Sequence, residues 1–184
     1  MIGTHNSGTG EKSKHWYHNF LLPFARCQRY TIKEQLEHGC KLFDLRIRSH
    51  NGFTKYYLCH GIWESEMTLN EALKCIHNYG VVNDCIYNVL ITYEGNIKNI
   101  IVDWFENIIK TKVRQYYCIH LVQLAVKKPK WFVIDSDNRI KLIQGYKCLD
   151  FSSWHTFIPI PWLWSKFYTK STKSDDTYIL IDFL

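Results

Sequence analysis

Two histidines in this 184-residue chain have neighbours typical of strand ends. His5 lies in a glycine-flanked polar turn after an apolar start, and His60 closes an apolar stretch just before a glycine. Because imidazole titrates near neutral pH, two histidines can divide the work of a general base and a general acid. Asp44 and Arg46 are two residues apart and therefore share one face of a predicted strand. Such a carboxylate can orient a histidine or a substrate hydroxyl, and the guanidinium can bind a phosphate oxygen.

The elements that must hold these side chains alternate between strand-like and helix-like patterns. Enrichment in β-branched and aromatic residues predicts strands at residues 41–47, 55–59, 86–93, 139–144 and 177–183. Such strands, alternating with helices, predict an α/β fold with a parallel sheet covered by helices. A full (β/α)8 barrel usually has about 250 residues, so we expect a reduced or incomplete TIM-type barrel.

Three helices are predicted between the strands. Capping boxes that begin at Thr31 and Thr68 start two of them, and Gly39 and Gly80 follow where these helices are expected to stop. The third helix follows Gly95, and its apolar face has the helical period. That face consists of Ile97, Ile100, Ile101, Trp104, Phe105, Ile108 and Ile109.

Composition and charge exclude several classes of protein. The hydrophobic content of 46% and the charged content of 22% fit a folded domain and exclude a disordered chain. The sequence has neither an apolar run of about 18 residues nor a basic-then-apolar leader, which predicts a cytoplasmic or peripheral membrane protein. A net charge of +6 favours anionic partners, but no nucleic-acid-binding motif accompanies it. Seven cysteines without a C-x-x-C pair predict free thiols.

Several stretches of the sequence together resemble the phosphatidylinositol-specific phospholipase C X-domain family. The resemblance covers many stretches of residues 2–94 and only a few afterwards. It implies a PLC-like (β/α) barrel in one catalytic domain, residues 1–184. The chain begins inside the first strand and ends directly after a strand, so a fragment, a degenerate copy and a minimal version all remain open. The matching stretches are IGTHNSGT (2–9), CQ (27–28), residues 32–36, GCKLFDLRI (39–47), CHG (59–61), NVLITYE (88–94), RIKLIQGY (139–146) and YILIDF (178–183).

The resemblance implies a phosphoric diester hydrolase that converts an inositol phospholipid to diacylglycerol and a cyclic inositol phosphate. His5 would be the general base for the inositol 2-hydroxyl, and His60 would be the general acid for the leaving oxygen. Asp182 matches the aspartate that orients the first histidine, unless its strand is an earlier strand of a shortened barrel. The expected partners are the lipid substrate and a peripheral membrane surface, and the sequence does not indicate an oligomeric state.

The resemblance also bears on metal use. We expect Asn6, Arg46 and Glu94 to bind the substrate phosphate or to support the residue that does. Arg46 stands where calcium-dependent members of the family have a carboxylate, and we interpret Glu94 as its charge partner, so no cofactor is favoured. Asn6 and Glu94 nevertheless match the calcium pattern, and the alternative is Ca²⁺ held by Asn6, Asp44 and Glu94.

Residues 157–173 combine aromatic side chains with lysines. Tryptophan favours the membrane–water interface and lysine favours anionic head groups, so we expect Trp162, Trp164 and Lys166 to contact a membrane. The alternative is that these aromatic side chains fill the side of the barrel.

Two other functions remain open at this point. A glycerophosphodiester phosphodiesterase shares the barrel and the paired histidines, but it typically pairs carboxylates where this chain has Arg46. A non-catalytic lipid-binding or interaction module would keep the motifs without the activity.

Overall fold

One eight-stranded, mostly parallel β-sheet organises the part of the chain that the computed structural model describes, which is residues 2–21, 25–50, 55–95, 102–126, 141–144 and 177–181. The helices are α1 (Ile32–Glu37), α2 (Leu69–Asn83), α3 (Val102–Arg114) and the 3-10 helices Ser7–Gly10 and Trp16–Leu21. The strands are β1 (Ile2–Thr4), β2 (Leu42–Ser49), β3 (Tyr56–His60), β4 (Trp63–Thr68), β5 (Tyr87–Tyr93), β6 (Ile119–Ala125), β7 (Lys141–Gln144) and β8 (Thr177–Ile181).

The sheet combines six parallel strands with one antiparallel hairpin. Strands β7, β8, β1, β2, β5 and β6 lie side by side in that order. Strands β3 and β4 form the hairpin, which pairs with the end of β2. The predicted parallel sheet is present in six strands, and β3 and β4 add an antiparallel hairpin: only Gly61 and Ile62 separate these two strands, whereas a parallel crossover needs a dozen or more residues. Within the described ranges β6 and β7 do not pair, so the sheet is not closed into a barrel.

The two faces of strand β2 differ: one packs into the hydrophobic core and the other carries polar side chains. Phe43, Leu45 and Ile47 belong to the hydrophobic core. Asp44 and Arg46 alternate with them and therefore point to the opposite face, as the sequence predicts. The helices cover the packed side and contribute to the same core Ile32, Leu36, Leu69, Leu73, Ile76, Phe105, Ile109 and Val113.

The helix starts predicted from the capping boxes are confirmed. The side chain of Thr31 accepts a hydrogen bond from the Glu34 backbone, and the Glu34 side chain accepts one from the Thr31 backbone. Thr68 and Glu71 form the same reciprocal pair at the start of α2. Gly39 follows α1 with a φ of +82°, a conformation that glycine adopts at little cost.

Two other expectations about the helices are wrong. Helix α2 continues through Gly80 and ends before Asp84, which is left-handed with a φ of +49°. Gly80 instead permits close packing, because a Cβ atom there would lie 2.7 Å from the Cβ of Cys118. In α3, Phe105 is buried as predicted, but Trp104 is 46% exposed. Ile97, Ile100 and Ile101 of the predicted apolar face lie outside the described residues.

Candidate active site

The carboxyl ends of β1, β2 and β5 bring the predicted site residues together. Thr4 of β1 is in register with Phe43 of β2, so the next residue along each strand, His5 and Asp44, lies at the same level. On the other side of β2, Arg46 is in register with Thr92 of β5, and Glu94 follows directly after that strand. Strand β3 runs antiparallel to β2 and carries His60 back toward these residues.

A tight turn after β1 presents His5 and Asn6. Asn6 has φ 47° and ψ 52°, a left-handed conformation that asparagine tolerates better than most residues. The Thr9 hydroxyl donates to the Asn6 carbonyl at 2.8 Å and accepts from the backbone N–H groups of Cys27 and Gln28 at 2.9 and 3.0 Å. The Gln28 side chain donates to the His5 carbonyl at 2.9 Å. The turn is thereby fixed to the segment that precedes α1.

The Arg46 guanidinium connects the other charged residues of the site. Its Nη1 donates to Glu94 Oε1 at 2.8 Å, and its Nε lies 3.4 Å from Asp44 Oδ2. Its Nη2 lies 3.0 Å from Nε2 of His5, and because arginine has no acceptor, the His5 nitrogen accepts this hydrogen bond. Asp44 Oδ2 also accepts from the Asn6 backbone N–H at 3.1 Å. His5 Nε2 therefore carries a lone pair beside a cation.

This group of charges is buried. Arg46 is 7% exposed and Asp44 is 1% exposed. Burial by itself would lower the pKa of Arg46, but the carboxylates of Asp44 and Glu94 outweigh it, and the pKa lies above its ordinary value. Two further acceptors, Oδ1 of Asp44 and Oδ1 of Asn6, are buried without a hydrogen-bond partner.

In this arrangement both carboxylates of the alternative calcium set, Asp44 and Glu94, are engaged by an arginine. Asp44 and Glu94 already bind the Arg46 guanidinium between them. Ca²⁺ takes six to eight oxygen ligands and would be repelled by the adjacent guanidinium charge. Among the residues that the structure describes, no three His, Cys, Asp or Glu side chains are grouped so as to hold a metal ion.

His60 lies at the end of β3 in a partly buried position. Its Nδ1 donates to the Ala25 carbonyl at 2.7 Å, and the Cys27 thiol lies 4.0 Å from the same nitrogen. Burial lowers the pKa of His60, and the positive charge of Arg46 lowers it further. A lowered pKa makes the protonated imidazole a stronger acid, and it also leaves a smaller fraction of the ring protonated at neutral pH.

The lowered pKa of His60 predicts a pH-dependent loss of stability. The unfolded chain binds this proton near pH 6.5 and the folded chain binds it only at lower pH, so the stability contributed by neutral His60 is lost as the pH falls below 6.5. We expect Tm to fall less steeply between pH 7 and pH 5 in His60→Asn, whose amide can replace the Nδ1–H donor. Substitution of the exposed His120 by asparagine is the control, and equal slopes in wild type and His60→Asn would contradict the expectation.

One carboxylate links Arg46 to the turn that follows His60. While Oε1 of Glu94 binds Arg46, its Oε2 accepts from the Gly61 backbone N–H at 2.9 Å. Gly61 has a φ of +59°, which favours glycine, and Arg48 donates to its carbonyl. Glu94 therefore ties together the two regions that carry the candidate base and the candidate acid.

Sequence reasoning missed four contacts of the site: the Ala25 carbonyl, the Cys27 thiol, the Gly61 N–H and the Arg48 guanidinium. Asn6 Nδ2 donates to Cys27 Sγ at 3.2 Å, so this thiol lies between the amide and His60. The only signal for Cys27 in the sequence is its place, with Gln28, in a stretch that resembles the family.

Four predicted site residues lie outside the described ranges. They are Asp182, the candidate orienting aspartate, and the expected membrane contacts Trp162, Trp164 and Lys166. The last described residue of β8, Ile181, is in register with Thr4, the residue before His5. All four assignments stay predictions.

The fold and the site define an α/β protein with two histidines, an arginine and two carboxylates at the strand ends. Residues 9–130, more than half of the chain, match the family described as "Phosphatidylinositol-specific phospholipase C, X domain". The chain belongs to this family. The matched range contains Asp44, Arg46, His60 and Glu94 and begins shortly after His5. A search of curated proteins gave no match.

Solved structures similar to this chain include phosphatidylinositol-specific phospholipase C of Staphylococcus aureus. One, from work on modulation of the membrane binding of that enzyme, has a TM-score of 0.62 and 14% identity and covers 98% of this chain and 72% of the other. Another, of the enzyme with pentafluoro-phenylalanine incorporated, has a TM-score of 0.60 and 15% identity, with coverage of 97% and 70%. At such identities the likeness supports the fold. Within the described ranges, no helix has the length and apolarity needed to cross a bilayer.

Proposed function

We propose that this protein is a phosphodiesterase that cleaves an inositol phospholipid by phospholipase C chemistry. The observation that carries the proposal is the 3.0 Å contact between Nη2 of Arg46 and Nε2 of His5. A phosphate oxygen that replaces His5 as the acceptor of this guanidinium N–H would free the histidine lone pair for an adjacent hydroxyl. A base for the hydroxyl and a cation for the phosphate are thus available at one point.

In the proposed reaction the inositol 2-hydroxyl attacks the neighbouring phosphorus. His5 takes the hydroxyl proton, the new P–O bond closes the cyclic inositol phosphate, and the bond to the glycerol oxygen breaks. His60 gives its proton to that oxygen and releases diacylglycerol. Arg46 stabilises the charge that develops on the phosphate.

Glu94 has a supporting role in this proposal. It neutralises part of the Arg46 charge and holds the turn beside His60, at 2.8 and 2.9 Å respectively. We further propose that Asp182 orients His5, that the sheet is a reduced (β/α) barrel, and that the protein works at a peripheral membrane surface where Trp162, Trp164 and Lys166 contact lipid.

Metal independence belongs to the same proposal, because Arg46 supplies the cation. We expect the purified protein to cleave phosphatidylinositol in mixed micelles equally well with EGTA and with added calcium, and to leave glycerophosphocholine intact. Loss of cleavage in EGTA with recovery in calcium would return Asn6, Asp44 and Glu94 to the role of metal ligands. Cleavage of glycerophosphocholine would favour a glycerophosphodiesterase, and cleavage of neither substrate would leave a lipid-binding module.

A further inference from the structure

The turn that joins β3 to β4 starts directly after His60 and is exposed to solvent. It consists of Gly61 and Ile62, and Ile62 is 69% exposed, so apolar packing contributes little to its conformation. Gly61 has a φ of +59°, in a region that glycine enters easily, and glycine is also the residue with the most backbone freedom. The path of the chain after His60 therefore depends on the polar contacts that the turn makes.

Two charged side chains bind successive peptide groups of this turn. Oε2 of Glu94 accepts a hydrogen bond from the Gly61 N–H at 2.9 Å, and Nη2 of Arg48 donates one to the Gly61 carbonyl. Hydrogen bonds in which one partner is ionised are roughly twice as strong as neutral ones. The two contacts therefore fix Gly61 on both sides of its Cα atom, and Arg48 supplies one of them.

Arg48 is placed for this contact by the pairing of β2 with β3. It lies in register with Tyr57, and the antiparallel strand β3 then continues to His60. Arg48 follows Arg46 by two residues and therefore lies on the same face of β2. The two arginines differ in their contacts. Arg46 binds carboxylates inside the site, whereas in the described part of the chain the Gly61 carbonyl is the only hydrogen-bond acceptor of Arg48.

His60 itself is held at one ring nitrogen. Its Nδ1 donates to the Ala25 carbonyl at 2.7 Å, which fixes the proton of the neutral ring on Nδ1 and leaves Nε2 as the nitrogen from which a proton can be transferred. The direction of Nε2 then depends on where the backbone places the ring. A misplacement of about 1 Å can cost about 10²-fold in rate, so the conformation of the turn after His60 matters for the reaction.

We propose that Arg48 is a positioning residue: by binding the Gly61 carbonyl it holds His60 in the orientation in which Nδ1 meets the Ala25 carbonyl and Nε2 faces the leaving oxygen. The role of Nε2 rests on the proposed function, whereas the orientation of the ring can be measured without substrate. In this role Arg48 exchanges no proton with the substrate or with His60.

The first measurement is turnover of a soluble short-chain phosphatidylinositol. Arg48→Met removes the donor, and we expect kcat to fall by about tenfold with KM within about twofold of wild type, because the orientation of the acid changes and substrate binding does not. Arg48→Lys keeps a donor and should recover most of kcat. Arg114→Met, at an exposed arginine of α3, is the matched control and should behave like wild type.

The second measurement is the nitrogen-15 NMR spectrum of the His60 imidazole at a pH where the ring is neutral. Wild type, Arg48→Lys and Arg114→Met should show one tautomer, with the proton on Nδ1, and Arg48→Met should show a mixture of both tautomers. If circular dichroism shows Arg48→Met to be unfolded, Arg48→Gln, whose side chain is shorter than that of arginine, replaces it with the same expectation.

A wild-type kcat together with a single Nδ1–H tautomer in folded Arg48→Met would overturn the proposal. A raised KM with unchanged kcat would also overturn it, because Arg48 would then be a substrate-binding residue, and so would an equal loss in Arg114→Met. A wild-type protein without turnover would refute the proposed function, and the tautomer comparison would then decide the role of Arg48 alone.

Discussion

Alanine at either His5 or His60 is expected to lower the turnover of phosphatidylinositol by about 10²–10⁴-fold, the range that a general acid or base typically contributes. The reason is local: Nε2 of His5 presents a lone pair 3.0 Å from the Arg46 guanidinium, and the environment of His60 lowers its pKa. If the two histidines act in one proton-transfer sequence, the double variant should lose about as much as the worse single variant, because residues that act as a unit are not additive.

His120→Ala, which removes an exposed histidine of β6, is the matched control and should turn over like wild type. Circular dichroism at the assay temperature must show all variants folded. Near wild-type turnover in both His5→Ala and His60→Ala would refute the acid–base assignment.

Replacing Arg46 with alanine is expected to damage both stability and turnover. The substitution leaves the carboxylates of Asp44 and Glu94 without their cation, and breaking a buried ion pair in this way typically costs about 3–5 kcal/mol. Turnover should fall by about 10²–10³-fold, the usual effect of removing one donor that stabilises developing negative charge. Urea unfolding and turnover of a soluble substrate measure the two effects separately.

A second variant separates the two roles of Arg46. Arg46→Met with Glu94→Gln removes one charge of each sign, and the amide oxygen introduced at position 94 can still accept from the Gly61 N–H. We expect this double variant to regain part of the stability lost in Arg46→Ala while its turnover stays low. Recovery of turnover together with stability would show that Arg46 has only a structural role.

The strands and helix starts that the sequence predicts well are those with strong local signals. Strand β2 is apolar on one face and carries Asp44 and Arg46 on the other, and the Thr–Glu pairs at the starts of α1 and α2 satisfy backbone groups within four residues. Strand β4 is not predicted because its sequence, WESEMT, mixes charged and apolar residues and has few β-branched ones. Its place in the sheet comes from pairing with β3 across a two-residue turn.

The predicted helix end at Gly80 is wrong because the role of this glycine depends on a distant part of the chain. A glycine after a helical stretch locally indicates the end of the helix. In the structure Gly80 lies inside α2 and packs closely against Cys118, which is far away in sequence.

The contacts of the candidate site also differ in whether local sequence predicts them. The charge pair between Arg46 and Glu94, inferred from residue types at positions that resemble the family, is present at 2.8 Å. The Ala25 carbonyl and the Gly61 N–H were not predictable, because every residue has a carbonyl, nearly every residue has an N–H, and only tertiary structure brings these two to His60 and Glu94. Cys27 was equally hidden, since a buried free cysteine most often acts as a small apolar residue.

The most direct test of the central claim is phosphorus-31 NMR of phosphatidylinositol micelles incubated with the wild-type protein in EGTA. The proposed mechanism predicts that the phosphodiester signal of the lipid is replaced by that of a cyclic inositol phosphate, with diacylglycerol in the organic phase, and that neither product forms with His5→Ala or His60→Ala. An unchanged lipid signal with folded wild-type protein at high concentration, or the same products from both histidine variants, would contradict it.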